Sequence, residues 1–272
     1  MYIITKQIKI DMKTVVLIAA ACAVCLNVSG CSAGEKLSGI KETKGYAVEP
    51  DYASLDISNA MEVSFSETAD SVYVTADESV IDYVRVERNR NELCLYIKFP
   101  AQFRNWNYGD VTVVLPYSTS LERVDVSGAS SLTAGRVFEA EQFAVDVTGA
   151  SDFDAAVHAD KVSVSGSGAS SVSCEVEASS LDIDLSGASD ARLSGRAGIC
   201  SLSVSGASSL KGQSDSWIVT DNTSCDISGA SRARIICNKS LSGEVSGAST
   251  LIYSGDAESD VHVSGASSVK KR

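Results

Sequence analysis

The chain has 272 residues, 35 acidic against 23 basic side chains and a net charge of −12, a balance that argues against nucleic acid or an anionic lipid surface as a partner. Aromatic residues make up 6% of the sequence, low for a carbohydrate-stacking groove but normal for a thin solenoid.

Residues 1–30 read as a lipoprotein signal peptide. Lys13 supplies the positive start, Val15 to Leu26 the apolar stretch, and Val28-Ser29-Gly30-Cys31 the cleavage box; the apolar run is too short to span a bilayer as a stable helix. Cys31 is thus the lipid-bearing residue. Val24 directly precedes Cys25, and Cys22 follows too little apolar chain. Met12 is a second candidate start, which would make the stretch from Met1 to Asp11 superfluous. Acylation at Cys31 anchors the chain to a membrane, and with no aspartate directly after it the expected address is the outer membrane of a Gram-negative cell, its periplasmic or exterior face left open. Residues 31–48, of mixed charge with Gly34, Gly39 and Gly45, read as a tether.

Residues 49–122 alternate apolar and polar side chains without a fixed repeat and read as an irregular β-rich cap. Strands are expected at Leu55–Ile57, Met61–Phe65, Val72–Val74, Val84–Glu87, Leu93–Phe99 and Val111–Leu115. Asp77 to Tyr83 reads as a short helical turn capped by Asp77. Arg88-Asn89-Arg90-Asn91-Glu92 signals a hairpin. The segment from Pro100 to Asp110 carries Phe103, Arg104, Asn105, Trp106 and Tyr108, and reads as a plug for the open end of the body or, alternatively, as an exposed contact surface.

Residues 123–270 are built on one tetrapeptide, Ser-Gly-Ala-Ser, with glycines at Gly128, Gly149, Gly168, Gly187, Gly206, Gly229, Gly247 and Gly265. Thr148 replaces the first serine once. Successive glycines lie 21, 19, 19, 19, 23, 18 and 18 residues apart, a period that signals stacked coils. Val124, Val126, Gly128, Ser130 and Leu132 share one parity, and the same phase recurs in every copy, so each copy is an extended segment with one buried side. Hairpin turns of the Asn-Gly or Asp-Gly type are absent from the repeats, which favours parallel stacking over an antiparallel sandwich. The fold class is therefore all-β: a right-handed parallel β-helix, or β-solenoid, of about eight coils behind the irregular cap. Two finer expectations follow. Ser165-Gly166 reads as a two-residue insertion that preserves phase, and the alanine of each tetrapeptide is expected to turn partly inward. A serine-lined binding ribbon is the functional alternative to a purely structural tetrapeptide.

No catalytic constellation stands out, and neither a metal nor another cofactor is implied. Asp125, Asp146, Ser163, Asp184, Ser203, Asp226, Glu244 and His262 precede equivalent apolar positions and would form an outward ladder, read as a solvated acidic face; the loops of calcium-binding β-rolls are missing. Asp152, Asp154, Asp190, Arg192, Arg232 and Arg234 come nearest to the acids and bases of solenoid polysaccharide lyases or hydrolases, but they fall in different registers and no motif ties them. His158 and His262 lie far apart in sequence, which gives a nucleophile triad no support. Cys94, Cys174, Cys200, Cys225 and Cys237 match no zinc spacing. The last four share the phase of the apolar residues and read as small buried hydrophobes, with a disulfide of unassigned pairing as the alternative in an exported protein.

The lipobox at Cys31, the strand-rich lead-in, Val111 to Leu115 followed by Pro116 and Leu121, and the serial Ser-Gly-Ala-Ser copies ending in Val269 resemble the head GIN domain family of autotransporter adhesins. The likeness covers residues 53–270. It implies an exported envelope protein with a β-helical body, brings no catalytic residues with it, and, since no translocating barrel is evident, implies a head held by lipid. The functional expectation is a lipid-anchored, non-catalytic solenoid acting in adhesion or surface interaction, with an unidentified glycan or protein ligand. The alternatives are a carbohydrate-active enzyme and a structural periplasmic protein.

Overall fold

The computed structural model describes residues 37–100, 107–213 and 216–272. Cys31 and most of the expected signal peptide and tether, as well as Phe103, Arg104, Asn105 and Trp106, lie outside the described residues. Gly34–Arg272 forms one compact unit, and among its described residues the one helical element is a 3₁₀ turn at Ile81–Tyr83.

The repeats fold as parallel coils. Their strands are β8 (Arg123–Val126), β9 (Ser131–Thr133), β10 (Phe138–Val147), β11 (Asp152–Gly166), β12 (Ser171–Leu185), β13 (Asp190–Val204), β14 (Ser209–Lys211), β15 (Ile218–Ile227), β16 (Arg232–Val245), β17 (Thr250–Ser254), β18 (Glu258–Val263) and β19 (Ser268–Lys271). Long strands such as β11, β12 and β13 pair along almost their whole length, Asp152 to Gly166 against Ser171 to Leu185 and onward against Asp190 to Val204. Each bends once, at the unpaired residues Asp160 and Ser179, so a coil has two sides and two corners. One corner is the tetrapeptide. The other is marked only by small residues such as Ala159, Ala178 and Ala197, which face one another across the coils.

Parity explains both corners. Inward residues run Phe153, Ala155 and Val157 before the bend, then Val162 and Val164 after it. The phase flips across the bend and is conserved across the tetrapeptide, where Val147 is followed by Ser151 and Phe153. An odd period of 19 residues requires one such flip per coil if the same face is to stay buried.

The tetrapeptide is thus a corner and not the interior of a strand. Its glycine and alanine are exposed in all eight copies, which corrects the inward turn expected for alanine. Its final serine is the residue that points inward: Ser130, Ser151, Ser170, Ser189, Ser208, Ser231 and Ser249 are each no more than 2% exposed, so they cannot form an open binding ribbon. Ser189 donates to the Ser186 carbonyl at 2.6 Å and Ser170 to Ser189 at 3.2 Å, whereas the Ser151 and Ser208 hydroxyls are buried with no protein partner. Ser165-Gly166 is no insertion either. Ser165 pairs with Asp184 and Gly166 with Leu185, so Gly166 occupies an ordinary inward position.

Glycine is dictated twice over. Gly168 to Gly265 all have φ between +70° and +78° at the tetrapeptide positions, where an L side chain is strained. A Cβ on Gly187 would also meet the Gly168 carbonyl oxygen at 2.7 Å, and one on Gly206 would meet that of Gly187 at 2.4 Å. That carbonyl is engaged: the amide of Ala188 donates to Gly168 O, and that of Ala207 to Gly187 O, each at 2.7 Å.

The stack continues into the cap. Its strands are β1 (Lys41–Tyr46), β2 (Ser54–Ile57), β3 (Met61–Ser66), β4 (Val72–Asp77), β5 (Val84–Asn89), β6 (Glu92–Ile97) and β7 (Val111–Pro116). The coil of β2 and β3 is sandwiched between β6 and β7 on one side and β8 and β9 on the other, all parallel. Parallel pairing therefore crosses residue 122. The β2–β3 corner, Ser58-Asn59-Ala60, is a degenerate tetrapeptide: Asn59 stands at φ +69°, a conformation asparagine tolerates, and the Ala60 amide donates to Gly128 O at 2.8 Å.

Beyond β6 and β7 the pairing turns antiparallel, with β5 on β6, β4 on β7 and β1 on β4. The hairpin expected at Arg88–Glu92 is present, with Arg90 at φ +57°. Lys41–Tyr46, within the segment read as a tether, is the outer strand. Its entry is held by Asp77, which lies ahead of the 3₁₀ turn whose N-cap is Val80 and accepts from the Ser79 hydroxyl at 2.6 Å, the Ser79 amide at 3.0 Å, the Gly39 amide at 2.8 Å and the Ser38 amide at 3.2 Å. These donors, the Ser79 hydroxyl first, hold its carboxyl well below the usual range. Tyr108 closes the same end, its ring 5.3 Å from Phe99 and its hydroxyl donating to the Asn59 carbonyl at 2.7 Å.

All five cysteines of the described body are free, and Cys174, Cys200, Cys225 and Cys237 are buried. Burial pushes the Cys174 and Cys200 thiols up to about 12 and Cys225 up to about 11.

Three outcomes follow from this architecture. Gly39 has φ +79° with open space around a would-be Cβ, so Gly39→Ala carries only the left-handed penalty of about 1–2 kcal/mol; Gly187→Ala also pushes on the neighbouring coil and costs roughly 1–3 kcal/mol more. Equal losses in urea melts would remove close approach from the explanation. Deleting Leu185 to Ser203 joins Asp184 to Val204, the register partner of Leu185, and leaves a shorter folded rod, whereas one residue inserted beside Gly187 lowers the melting temperature sharply; equal tolerance of both in circular dichroism melts contradicts the register. A thiol reagent at about pH 8 reacts with Cys94 in the native body and with the other four only after denaturation, and rapid reaction of a second native thiol would contradict their burial.

Candidate functional site

Superposed coils turn every outward position into a column of side chains about 4.8 Å apart. On the side formed by β6, β2, β8, β10, β15, β18 and the later halves of β11, β12, β13 and β16, one column begins Cys94, Asp56, Asp125, Asp146. It continues through Ser165, Asp184, Ser203, Asp226, Glu244 and His262. This is the expected acidic ladder with two changes: Ser165 takes the place assigned to Ser163, because no insertion precedes it, and the column extends to Asp56 and Cys94 in the cap. Arg123 spans two of its members, donating to both Asp125 carboxylate oxygens at 2.7 and 2.5 Å and lying 3.9 Å from Asp146.

At the cap end, donor atoms of Asp56, Glu92 and Cys94 all lie within 4.8 Å of one another. Burial, then the charges of Asp125 and Glu92, pushes the Asp56 carboxyl up. Burial, then Glu92 and Asp56, does the same to the Cys94 thiol. Oxygen and sulfur donors of this kind are those of a divalent-cation site, and sequence spacing hid them because β6 and β2 bring them together from different coils.

The opposite side gathers the residues weighed as acids and bases. Asp152, Ser171, Asp190, Ser209 and Arg232 form one column, and Asp154, Ser173, Arg192 and Lys211 form the next. They are therefore ordered and not scattered, yet Asp190 is tied to Arg192 at 3.2 Å and to Lys211 at 3.1 Å. Asp152 stands two coils from Asp190, about 10 Å away. His158 and His262 are five coils apart, about 24 Å along the stack, which leaves no triad geometry.

One coil departs from the repeat. The 23-residue interval between Gly206 and Gly229 enlarges a coil between β14 and β15, and Gln213 and Ser216 bridge its base. The enlargement brings Trp217 onto Arg234, whose guanidinium carbon lies 4.5 Å from the ring centroid. Beside them is a cleft of about 130 Å³ lined by Trp217, Arg234, Ile235, Ile252, Tyr253, Ser254 and Arg272. Lys271 lies over the Tyr253 ring at 5.7 Å. Ile252 occupies an outward position in register with Arg234 and Lys270 but is only 9% exposed. The unusual interval was the available signal for this cleft.

Comparison with known proteins supports the architecture. The chain is similar to a putative adhesin from Parabacteroides merdae, with 18% identity over 88% of this chain and 99% of that one and a TM-score of 0.78. It is also similar to a putative lipid binding protein from Parabacteroides distasonis, with 19% identity over 87% of this chain and 98% of that one and a TM-score of 0.74, and to a putative adhesin from the same organism, with 19% identity, 86% and 98% coverage and a TM-score of 0.76. At these identities the likeness is one of fold. Among curated proteins, none matches the chain. Residues 51–175 and 164–257 match the family model described as "Putative auto-transporter adhesin, head GIN domain", and the chain belongs to that family.

Proposed function

We propose that the chain is a lipid-anchored, non-catalytic adhesion module of the cell envelope. In this reading acylated Cys31 holds it to the outer membrane of a Gram-negative cell, the short segment after it spaces the body from the lipid, and the solenoid presents its sides to a partner. The observation that carries the reading is the surface itself: two sides built of superposed columns, which offer repeated contacts to an extended ligand, in a chain belonging to an adhesin-head family. Chemistry finds less support. Asp190 is spent on two ion pairs, and the ordered acids face outward from exposed columns.

The test is fractionation combined with protease shaving. The full chain partitions with the outer membrane, Cys31→Ser releases it into the soluble fraction, and protease added to intact cells removes the body. Protection from shaving with retained anchoring would favour the structural periplasmic reading. Incubation of the body with acidic polysaccharides releases no oligosaccharide; release that is abolished by Asp152→Asn or Asp190→Asn would replace adhesion with hydrolysis or elimination.

A further inference from the structure

The geometry points to the cleft beside Trp217 and Arg234 as a binding site for an acidic sugar residue, one pyranose ring bearing a carboxylate or sulfate. Three arginines of the repeat coils are paired with acids. Arg123 donates to Asp125, Arg192 is paired with Asp190 and Arg196 with Asp221. Arg234 is half-buried and stacked on an indole, yet it makes no hydrogen bond or ion pair among the described residues. Stacking fixes the plane of a guanidinium and leaves the N–H groups on its edge free to fork onto a planar anion. A held cation without an acceptor, at the mouth of a cleft, is a prepared anion fork.

The rest of the lining narrows the ligand. Arg272 is the second guanidinium of the lining, Lys271 stands outside it over the Tyr253 ring, and neither has an ion pair among the described residues. Trp217 and Tyr253 offer ring surfaces, Ile235 and Ile252 an apolar floor, and Ser254 a hydroxyl. A mixture of aromatic face, hydroxyl and guanidinium matches a ring with apolar C–H faces, a hydroxylated rim and one anionic group. The volume of about 130 Å³ admits one such ring or its acidic substituent and leaves the remainder of a chain outside. Arg232 and Lys270 stand on the same side as Arg234, and the nearest acid in these columns, Asp190, is already neutralised by Arg192 and Lys211. On a chain of net charge −12 this end of one side is a local positive field, while the opposite side carries the acidic column and repels the same ligand.

The proposal rests on the adhesion reading for its biological role, and its test separates the two. The body from residue 34 onward is titrated by calorimetry with uronic-acid, sialic-acid and sulfated oligosaccharides, each beside a neutral counterpart such as the methyl ester of the same uronic acid. An acidic member binds and its neutral counterpart does not. Arg234→Ala and Trp217→Ala each weaken binding by at least about tenfold. Arg234→Lys, which keeps the charge but loses the fork, falls between, and Arg196→Ala leaves affinity unchanged. Circular dichroism confirms the fold of each variant. No preference for acidic over neutral saccharides, or unchanged affinity in both Arg234→Ala and Arg234→Lys, overturns the site. Equal competition by inorganic sulfate or by phosphatidylglycerol vesicles overturns the sugar and leaves a general anion site. Cells whose adhesion survives the Arg234 and Trp217 variants would refute the cleft while leaving adhesion standing.

Discussion

The coils are locked together where the glycine carbonyl of one corner receives the alanine amide of the next. That bond recurs at 2.7 Å from Ala169 to Gly149 through Ala266 to Gly247. It closes only because nothing projects from the glycine: the left-handed backbone and the neighbouring carbonyl both exclude a Cβ. A corner that must lie directly on its own copy can use almost no other residue. Once the corners superpose, the strands flanking them are held in register, so side chains of equal position stand above one another inside and out, with a shift between β15 and β16 at Thr220 and Asn222. The buried serine column, the acidic column and the basic end of the opposite side are all consequences of that lock.

The part of this that was legible in the sequence is the part set by periodicity. The spacing of Gly128 to Gly265 and the alternation around each glycine identify a solenoid, and they place Val124, Val126 and their equivalents in its core. The local role of the tetrapeptide was harder to read, because alternation continues through it while the backbone turns. Ser130 and Gly128 share a parity, yet one is buried and the other exposed. The second corner left no motif at all. It lies at Asp160 and Ser179, beside alanines that sequence alone cannot distinguish from strand interior, although the odd intervals of 19, 21 and 23 residues demanded a phase flip in each of those coils, whereas the last two, of 18, need none and keep one parity from Ile227 to Ala257. Asn59 is the same lesson reversed: a corner of the stack whose glycine is replaced, invisible to a search for the tetrapeptide.

Site residues were legible only where one column draws them from equivalent positions of successive repeats. The acidic ladder qualifies, and a single misread insertion displaced one of its members from Ser165 to Ser163. Asp56, Glu92 and Cys94 do not qualify, because β6 follows β2 in the chain but lies on its far side in the stack. The Trp217 cleft fails for another reason. It is built from a departure from the repeat, and a reading tuned to regularity treats an irregular interval as noise. In a protein whose scaffold is repetition, the places where a coil is longer than its neighbours are where a distinct surface can arise.

Stacking also makes like charges neighbours, which bare columns tolerate poorly. Much of the acidic side is relieved in two ways, although Asp226 and Glu244 adjoin directly. Ser165 separates Asp146 from Asp184, and Ser203 separates Asp184 from Asp226, which doubles the spacing to about 10 Å, near the distance at which physiological salt screens exposed charges. Where Asp125 and Asp146 do adjoin, Arg123 reaches both. On the other side Asp190 performs the same service for Arg192 and Lys211. Arg234 is spaced from Lys270 in the same way but has no acid beside it. Its neighbours in register are Ile252 and, one coil further, Lys270, and its only ordering contact is an aromatic face that stabilises a cation without neutralising it. Arg234 is ordered by an indole face and has no counter-charge among the described residues, which leaves the edge of its guanidinium open to a planar anion.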